Sequence, residues 1–298
     1  MSGTLNRLID ICTRRLETAG VSFGHGTLHA RDEAIWLVLW KLGLPLDSDL
    51  DEYGHRTITL EQLAACEALV AERVRTRKPA AYLTHEAWLQ GVSFYVDERV
   101  IVPRSLIAEP LADGTLDAWL SEDTVQVLDL CTGNGSLAVL AALAWPEVQV
   151  TAADLSEDAL AVARINIERH GLSERITPVH SDGLQALPGP YDLILCNPPY
   201  VCARSMQELP AEFRAEPEMA LAGGEDGMDF IRQLLDQAPS RMSDQAVLVL
   251  EIGHERAHFE SAFPSLEVVW LETSAGEDQV LLITRQALAA ATPENTRP

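Results

Sequence analysis

One strand–turn–helix–strand segment constrains the fold of this chain more than any other feature. Residues 124–130 (TVQVLDL) are apolar and rich in β-branched side chains, as a buried strand is, and a glycine turn follows at 131–135. Residues 136–144 predict an apolar helix, and the run 148–154 predicts a second buried strand that ends in Asp154. This order of elements predicts a parallel sheet with crossover helices.

The turn at 131–135 (CTGNG) has the composition of a loop that lies under a nucleoside or nucleotide. Glycine lets the backbone approach a ligand closely, and the N-terminus of the following helix offers free N–H groups. Asp154 follows Gly135 by 19 positions, a spacing at which a carboxylate can accept hydrogen bonds from ribose hydroxyls.

Two classes of enzyme use a loop of this kind. Gly133, Gly135 and Ala138 satisfy the G-x-G-x-x-A pattern of dinucleotide-binding proteins, which leaves a nicotinamide-dependent oxidoreductase open. The series Asp129-x-Cys131-x-Gly133-x-Gly135 instead resembles the nucleoside loop of S-adenosylmethionine enzymes, with Cys131 in place of the usual first glycine.

The tetrapeptide Asn197-Pro198-Pro199-Tyr200 follows the strand-like run 191–196. A conjugated NH2 group is a poor nucleophile because its lone pair is delocalised, and two acceptors aimed at its hydrogens favour the pyramidal transition state. The Asn197 side-chain oxygen and the Pro198 carbonyl could be those acceptors, and the Tyr200 ring could pack against a planar substrate. The alternative is a simple turn, since Asn-Pro often begins one.

The order of these parts decides between the two readings of the glycine loop. The loop, Asp154, the tripeptide Ser181-Asp182-Gly183 and the Asn-Pro-Pro-Tyr motif each follow a predicted strand. The carboxyl ends of parallel strands share one edge, where doubly wound sheets bind ligands. Because a hydride-transfer enzyme has no evident use for Asn-Pro-Pro-Tyr, the series favours methyl transfer.

Over nearly its whole length the chain resembles the protein-glutamine N-methyltransferases of the PrmB/PrmC (HemK-like) group. Besides the motifs above, the resemblance rests on the segments 78–84 (KPAAYLT), 94–105 (FYVDERVIVPRS), 209–217 (LPAEFRAEP) and 223–227 (GGEDG). The Val-Pro-Arg-Ser sequence at 102–105 is similar to the PrmB branch, which modifies the third large-subunit ribosomal protein. The release-factor branch usually has Ile-Pro-Arg-Pro there.

This resemblance implies a fold, a cofactor and a set of site residues. The fold would be α/β, a Rossmann-like class I methyltransferase fold with a doubly wound, mostly parallel sheet. The cofactor would be S-adenosyl-L-methionine. Asn197 and Pro198, flanked by Pro199 and Tyr200, would bind the substrate amide, Asp154 the ribose, and Asp182 would lie near the adenine. The residues expected to bind the cofactor are Asp129, Cys131, Thr132, Gly133, Asn134, Gly135, Asp154, Leu155, Asp182, Gly183 and Asn197.

We therefore expect a cytoplasmic enzyme that methylates a glutamine side-chain amide in a large-subunit ribosomal protein, with no metal. Four alternatives stay open: methylation of peptide chain release factors, methylation of an exocyclic amine of nucleic acid, a nicotinamide oxidoreductase, and a non-catalytic ribosome-assembly protein. Glu251, at the end of a late strand, could reach the ligand-binding edge or form a structural salt link.

The chain is predicted to have a helical substrate-recognition domain at 1–90, a β-hairpin linker at 91–102 and a methyltransferase domain at 103–298. Helical apolar spacing and a capping box at Thr59–Gln62 predict N-terminal helices over 4–20, 32–42 and 59–77, and the end of the chain predicts a loose tail at 291–298. A basic cluster, Arg73, Arg75, Arg77 and Lys78, suits the C-terminal dipole of the third helix, with substrate contact as the alternative.

Charge and cysteine content limit which kinds of binding partner and which cellular compartment are expected. Of the formal net charge of −23, residues 1–90 carry −2 and residues 91–298 carry −21. Such a surface disfavours nucleic acid and favours a basic protein partner, although acidity also simply keeps a protein soluble. Five scattered cysteines without metal spacing fit a reducing compartment, and neither a signal peptide nor a membrane-spanning run is expected.

Overall fold

A seven-stranded sheet and a short hairpin organise residues 3–291, which are the residues that the computed structural model describes. The hairpin strands are β1 (Ala87–Leu89) and β2 (Val92–Phe94). The sheet strands are β3 (Gln126–Leu130), β4 (Gln149–Asp154), β5 (Ile176–His180), β6 (Tyr191–Cys196), β7 (Met242–Glu251), β8 (Val269–Thr273) and β9 (Gly276–Thr284).

The strand order of the sheet is β5-β4-β3-β6-β7-β9-β8. The strands from β5 to β7 are parallel, and β9 runs antiparallel to both of its neighbours. The direction in which the chain adds strands reverses between β3 and β6, so their carboxyl ends form a topological switch point, where such sheets bind ligands. The predicted doubly wound, mostly parallel sheet is confirmed.

The helices of residues 3–291 cover both faces of the sheet and build the N-terminal region. They are α1 (Leu5–Ala19), α2 (Ala30–Lys41), α3 (Leu50–Tyr53), α4 (Leu60–Thr76), α5 (Ala80–Thr84), α6 (Ala108–Ala112), α7 (Ser136–Ala144), α8 (Glu157–Arg169), α9 (Ala203–Glu208), α10 (Asp229–Gln237), α11 (Arg256–Ala262) and α12 (Arg285–Ala291). None of these helices is long and apolar enough to cross a membrane.

The three predicted N-terminal helices are confirmed as α1, α2 and α4, and Thr59 caps α4 with the predicted capping box. The short helices α3 and α5 were not predicted, because one helical turn is too short to show a periodic apolar pattern. The tail predicted at 291–298 lies outside the described residues, apart from Ala291, which ends α12.

The hairpin predicted at 91–102 is wrong in its position, since the paired strands are β1 and β2, at 87–94. Gln90 and Gly91 both have positive φ angles, 49° and 75°, as a two-residue hairpin turn requires. The apolar pattern after Phe94 has another cause. Residues 95–102 have no strand pairing and include a turn, in which the Val100 N–H donates to the Asp97 carbonyl at 3.2 Å. The buried valines of this segment pack against α8 and the N-terminal helices.

Asn166 of α8 makes the main-chain hydrogen bonds of Tyr95 that a partner strand would otherwise make. Its side chain is fully buried, accepts from the Tyr95 N–H at 2.7 Å and donates to the Tyr95 carbonyl at 3.0 Å. The same amide nitrogen donates to the Asn134 carbonyl at 2.8 Å. One side chain therefore fixes the linker segment and the glycine loop to the same helix.

Arg73 joins the N-terminal helices to a loop that follows β6. Its guanidinium is fully buried and donates to Glu33 at 2.8 Å, to Glu212 at 3.3 Å and to the Ser22 carbonyl at 2.9 Å. Arg77 also donates to Glu212, at 3.2 Å. The basic cluster seen in the sequence thus includes a buried ion-pair network, and Arg73 is not accessible to a substrate.

Candidate active site

A cleft lies at the switch point, beyond the carboxyl ends of β3, β4, β5 and β6. Nine residues that the sequence singled out line it together: Cys131, Gly133, Asp154, Leu155, Ser181, Asp182, Gly183, Asn197 and Pro199. Residues far apart in the chain are brought to one edge because the parallel strands that precede them end there. The glycine loop and Asp154 therefore lie beside Asn197 and Pro199, whereas Pro198 and Tyr200 do not line the cleft, and their contact with a substrate stays a prediction.

The glycine loop turns sharply between β3 and α7. Cys131 has a φ of 60°, in the left-handed region that favours glycine, and this explains why related loops have glycine at its position. Gly135 has a φ of 81°, and a Cβ there would lie 3.2 Å from the Cβ of Ala163. A larger residue at 135 would push the loop away from α8.

Asp129 stabilises this loop through hydrogen bonds to its carboxylate. The carboxylate is almost fully buried and accepts hydrogen bonds from the Thr132 hydroxyl and, at 2.9 Å, from the Ala138 N–H. Burial raises the pKa of Asp129 to about 7. Asp129, Thr132, Asn134 and Gly135 lie behind the residues that line the cleft, so their direct contact with the cofactor stays a prediction.

Asp154 lines the cleft, where its carboxylate is held by two main-chain N–H groups. One carboxylate oxygen accepts the Gly133 N–H at 2.9 Å and the other accepts the Ser156 N–H at 2.8 Å. Each carboxylate oxygen can accept a second hydrogen bond, so two positions remain for the ribose hydroxyls. Burial raises the pKa of Asp154. The residues of the cleft therefore fit the nucleoside part of S-adenosylmethionine.

Asp154→Ala is expected to weaken the binding of S-adenosylhomocysteine by roughly 10- to 150-fold, because a hydrogen bond to a charged group contributes about 1.5–3 kcal/mol. Asp192→Ala is the matched control, measured beside it by calorimetry. Asp192 also accepts two main-chain N–H groups, those of Val125 and Gln126, but at the opposite end of the strands. Equal losses of affinity in both variants would mean that Asp154 acts only through the fold.

The Asn-Pro-Pro-Tyr motif follows β6 directly, as predicted, and Asn197 and Pro199 line the cleft beside the glycine loop. The Tyr200 hydroxyl donates to Glu251 at 3.2 Å. The Tyr200 ring lies against Gly253, where a Cβ would approach its Cε2 to 2.4 Å. These contacts fix the orientation of the ring. Its contact with a substrate stays a prediction.

Glu251, at the end of β7, connects this motif to Ser105 and Leu106, just after the linker. Its buried carboxylate accepts the Ser105 hydroxyl at 2.6 Å and the Leu106 N–H at 2.9 Å, in addition to Tyr200. Burial raises the pKa of Glu251. Glu251 does not itself line the cleft, and its partners within hydrogen-bonding distance are the hydrogen-bond donors Ser105, Leu106 and Tyr200 rather than a cation.

Glu251→Gln is expected to lower turnover about tenfold, because the new amide cannot accept all three hydrogen bonds and Tyr200 loses its fixed orientation. Glu109→Gln is the control, since Glu109 also accepts a main-chain N–H and a hydroxyl, both from Ser274 at 2.6 Å, away from the cleft. The methylation rates of the two variants are to be compared at equal cofactor saturation. Unchanged turnover in Glu251→Gln would contradict the positioning role.

Several residues of the cleft escaped sequence reasoning. They are Arg99, Val100, Ile101, Leu130, Ser156, Ala159, Pro217, Met219, Ala220 and Phe230. Most of them lie in segments that resemble the family or lie next to a motif. Their own side-chain chemistry gave no reason to assign them to a site. The resemblance at 94–105 and 209–217 could have identified Arg99 and Pro217.

Comparison with known proteins decides among the functional classes. Residues 115–225 match the Methyltransferase small domain family. The chain is 52% identical to the ribosomal protein uL3 glutamine methyltransferase of Bordetella pertussis and 50% identical to that of Burkholderia pseudomallei, in each case over 96% of both chains. The chain belongs to the family of ribosomal protein uL3 glutamine methyltransferases.

Family membership identifies the chain as a methyltransferase with S-adenosylmethionine as its methyl donor. The nicotinamide alternative left open by the glycine loop is therefore excluded. Among solved structures, the catalytic domain of hMettl16 in complex with a MAT2A 3′UTR hairpin superposes with a TM-score of 0.52 at 14% identity, over 76% of this chain and 83% of that one. That likeness shows the shared fold.

Proposed function

We propose that this methyltransferase transfers a methyl group from S-adenosylmethionine to the side-chain amide nitrogen of a glutamine in ribosomal protein uL3. The observation that carries the proposal is the position of Asn197, which lines the same cleft as Asp154 and the glycine loop. The names of the relatives support the choice of substrate. The resemblance of 102–105 to the PrmB branch favours it over release factors.

In the proposed mechanism the Asn197 side-chain oxygen and the Pro198 carbonyl accept hydrogen bonds from the two hydrogens of the glutamine amide. Proline at 198 and 199 stiffens the backbone, so the two acceptors are held in fixed positions before the substrate arrives. The bound cofactor supplies a methyl group activated by its positive sulfur. Hydrogen bonding that favours a pyramidal nitrogen would restore the lone pair needed for in-line attack. The new N–C bond would form as the methyl–sulfur bond breaks, S-adenosylhomocysteine would leave with the electron pair, and water would take the proton that the amide loses.

We further propose that residues 1–90 select the protein substrate and that the acidic remainder performs the transfer. The uneven charge supports this division, because a net charge of −21 over residues 91–298 attracts a basic ribosomal protein. The enzyme would act in the cytoplasm on free or assembling uL3, since a glutamine covered by ribosomal RNA could not enter the cleft. No membrane enters this proposal, and nucleic acid is not expected as a substrate.

A substrate panel tests this function. Radiolabelled S-adenosylmethionine is incubated with the enzyme and free uL3, intact ribosomes, free release factors or naked nucleic acid. Label is expected in free uL3 ahead of all other acceptors. Preference for release factors would move the enzyme to the other branch of the family, and preference for nucleic acid would overturn the protein-substrate assignment.

A further inference from the structure

A second cavity, of about 830 Å³, lies between the N-terminal helices and the linker, outside the cofactor cleft. We call it the tryptophan cavity, because Trp36, Trp40 and Trp88 all line it, together with Pro45 and Pro103. Trp88 is 48% exposed. The cavity therefore presents aromatic surface to solvent without a partner from the described residues.

The tryptophan cavity and the cofactor cleft share one thin wall. Residues 99–101 line the cleft, whereas the next two, Val102 and Pro103, line the cavity. Glu216 accepts the Val102 N–H at 2.9 Å, and its neighbour Pro217 lines the cleft. A chain that delivers a side chain to the cleft can thus reach the tryptophan cavity with residues close to that side chain.

Two buried polar groups of the cavity wall lack a hydrogen-bond partner among the described residues. They are the indole N–H of Trp36 and Nδ1 of His25, whose side chains are 9% and 3% exposed. The other ring nitrogen of His25 faces Glu216 at 3.5 Å. Because these atoms are shielded from solvent, they belong to the wall of the cavity rather than to its ligand-binding surface.

The lining also carries negative charge. Asp47 is exposed and Glu86 is half-buried at the cavity. An aromatic, proline-lined cavity with acidic groups is complementary to an extended peptide that has an apolar side chain beside a lysine or an arginine. A basic ribosomal protein offers such segments, and a neutral metabolite would have no use for the two carboxylates.

We infer that the tryptophan cavity binds an extended, basic segment of the substrate protein next to the methylated glutamine, and so sets substrate specificity. This inference rests on the proposed function. One apolar side chain enters the cavity beside the exposed Trp88 ring, and a basic side chain pairs with Asp47 and Glu86. The cavity holds the segment while Asn197 holds the amide.

The test uses the full-length enzyme, S-adenosylmethionine and free uL3, with KM, turnover and the affinity for S-adenosylhomocysteine measured separately. Trp88→Ala removes exposed aromatic surface, and the double variant Asp47→Lys/Glu86→Lys reverses the charge. The controls are Trp119→Ala, which removes a side chain that is 37% exposed, and Glu122→Lys. Both controls precede β3, at the end of the sheet opposite the cleft.

Trp88→Ala is expected to raise KM for uL3 about tenfold while turnover and S-adenosylhomocysteine affinity stay at wild-type values. The charge reversal should raise KM most at low salt, because salt screens the attraction. An unchanged KM in both cavity variants, or an equal rise in the controls, would overturn the inference. A change of oligomeric state with unchanged KM would assign the cavity to a second copy of the chain instead.

These outcomes separate the inference from the proposed function. If the cavity variants methylate uL3 with wild-type KM while Asn197→Ala does not methylate it, the function stands and the docking site is wrong. If the wild-type enzyme does not methylate uL3, the proposed function fails and the inference fails with it.

Discussion

Asn197→Ala is expected to lower the turnover of uL3 methylation by roughly 100- to 1,000-fold, the usual effect of removing one preorganised hydrogen-bonding group from a transition state. Asn197 is the side chain of the Asn-Pro-Pro-Tyr motif that lines the cleft and can accept from an amide hydrogen. Because its role is exerted mainly in the transition state, the binding of S-adenosylhomocysteine should change little.

Single-turnover rates and calorimetry on the purified variant check this expectation. The melting temperature should stay close to that of the wild type, since Asn197 is only half-buried. Near-normal turnover would rule out the amide-holding role, and a parallel loss of cofactor affinity would instead make Asn197 part of the cofactor site.

Arg73→Ala is expected to lower the free energy of unfolding by about 3–5 kcal/mol, because the change leaves the buried carboxylate of Glu33 without its cation and leaves Glu212 with Arg77 alone. Arg31→Ala provides the matched control. Arg31 pairs with Asp10 at 3.0 Å, but both side chains are about half exposed, and such surface pairs contribute about 0–1 kcal/mol.

Denaturant titration gives the free energy of unfolding of each variant. The two values are compared provided that both variants have the same slope of free energy against denaturant concentration. Similar small losses would show that the network around Arg73 does not hold the N-terminal helices to the Glu212 loop. If Arg73→Ala proves too unstable to purify while Arg31→Ala behaves as wild type, the expectation is met in its strongest form.

Site residues could be predicted where a glycine loop or a polar side chain directly follows a strand-like run in the sequence. The glycine loop, Asp154 and Asn197 each follow an apolar run that can only be a buried strand, so their meeting at one edge follows from parallel topology alone. The bounds of α7 were also predicted correctly. An apolar run that lies between a glycine turn and Trp145-Pro146 has clear limits at both ends.

Features that depend on contacts between distant segments could not be predicted. The valines after Phe94 alternate as in a strand, yet the side chain of Asn166, far along the chain, satisfies that backbone instead. Arg73 looked like a surface cation at a helix end, and only the fold brings Glu212 to it. The link from Glu251 to Tyr200 has the same origin, since no local pattern marks it.

The most direct test of the central claim is tandem mass spectrometry of free uL3 after incubation with the enzyme and S-adenosylmethionine. We expect one methyl group on the side-chain amide of a single glutamine, absent when Asn197→Ala replaces the wild-type enzyme. Methylation of a lysine, an arginine or a chain terminus, or an unmodified uL3 beside a methylated release factor, would contradict the account.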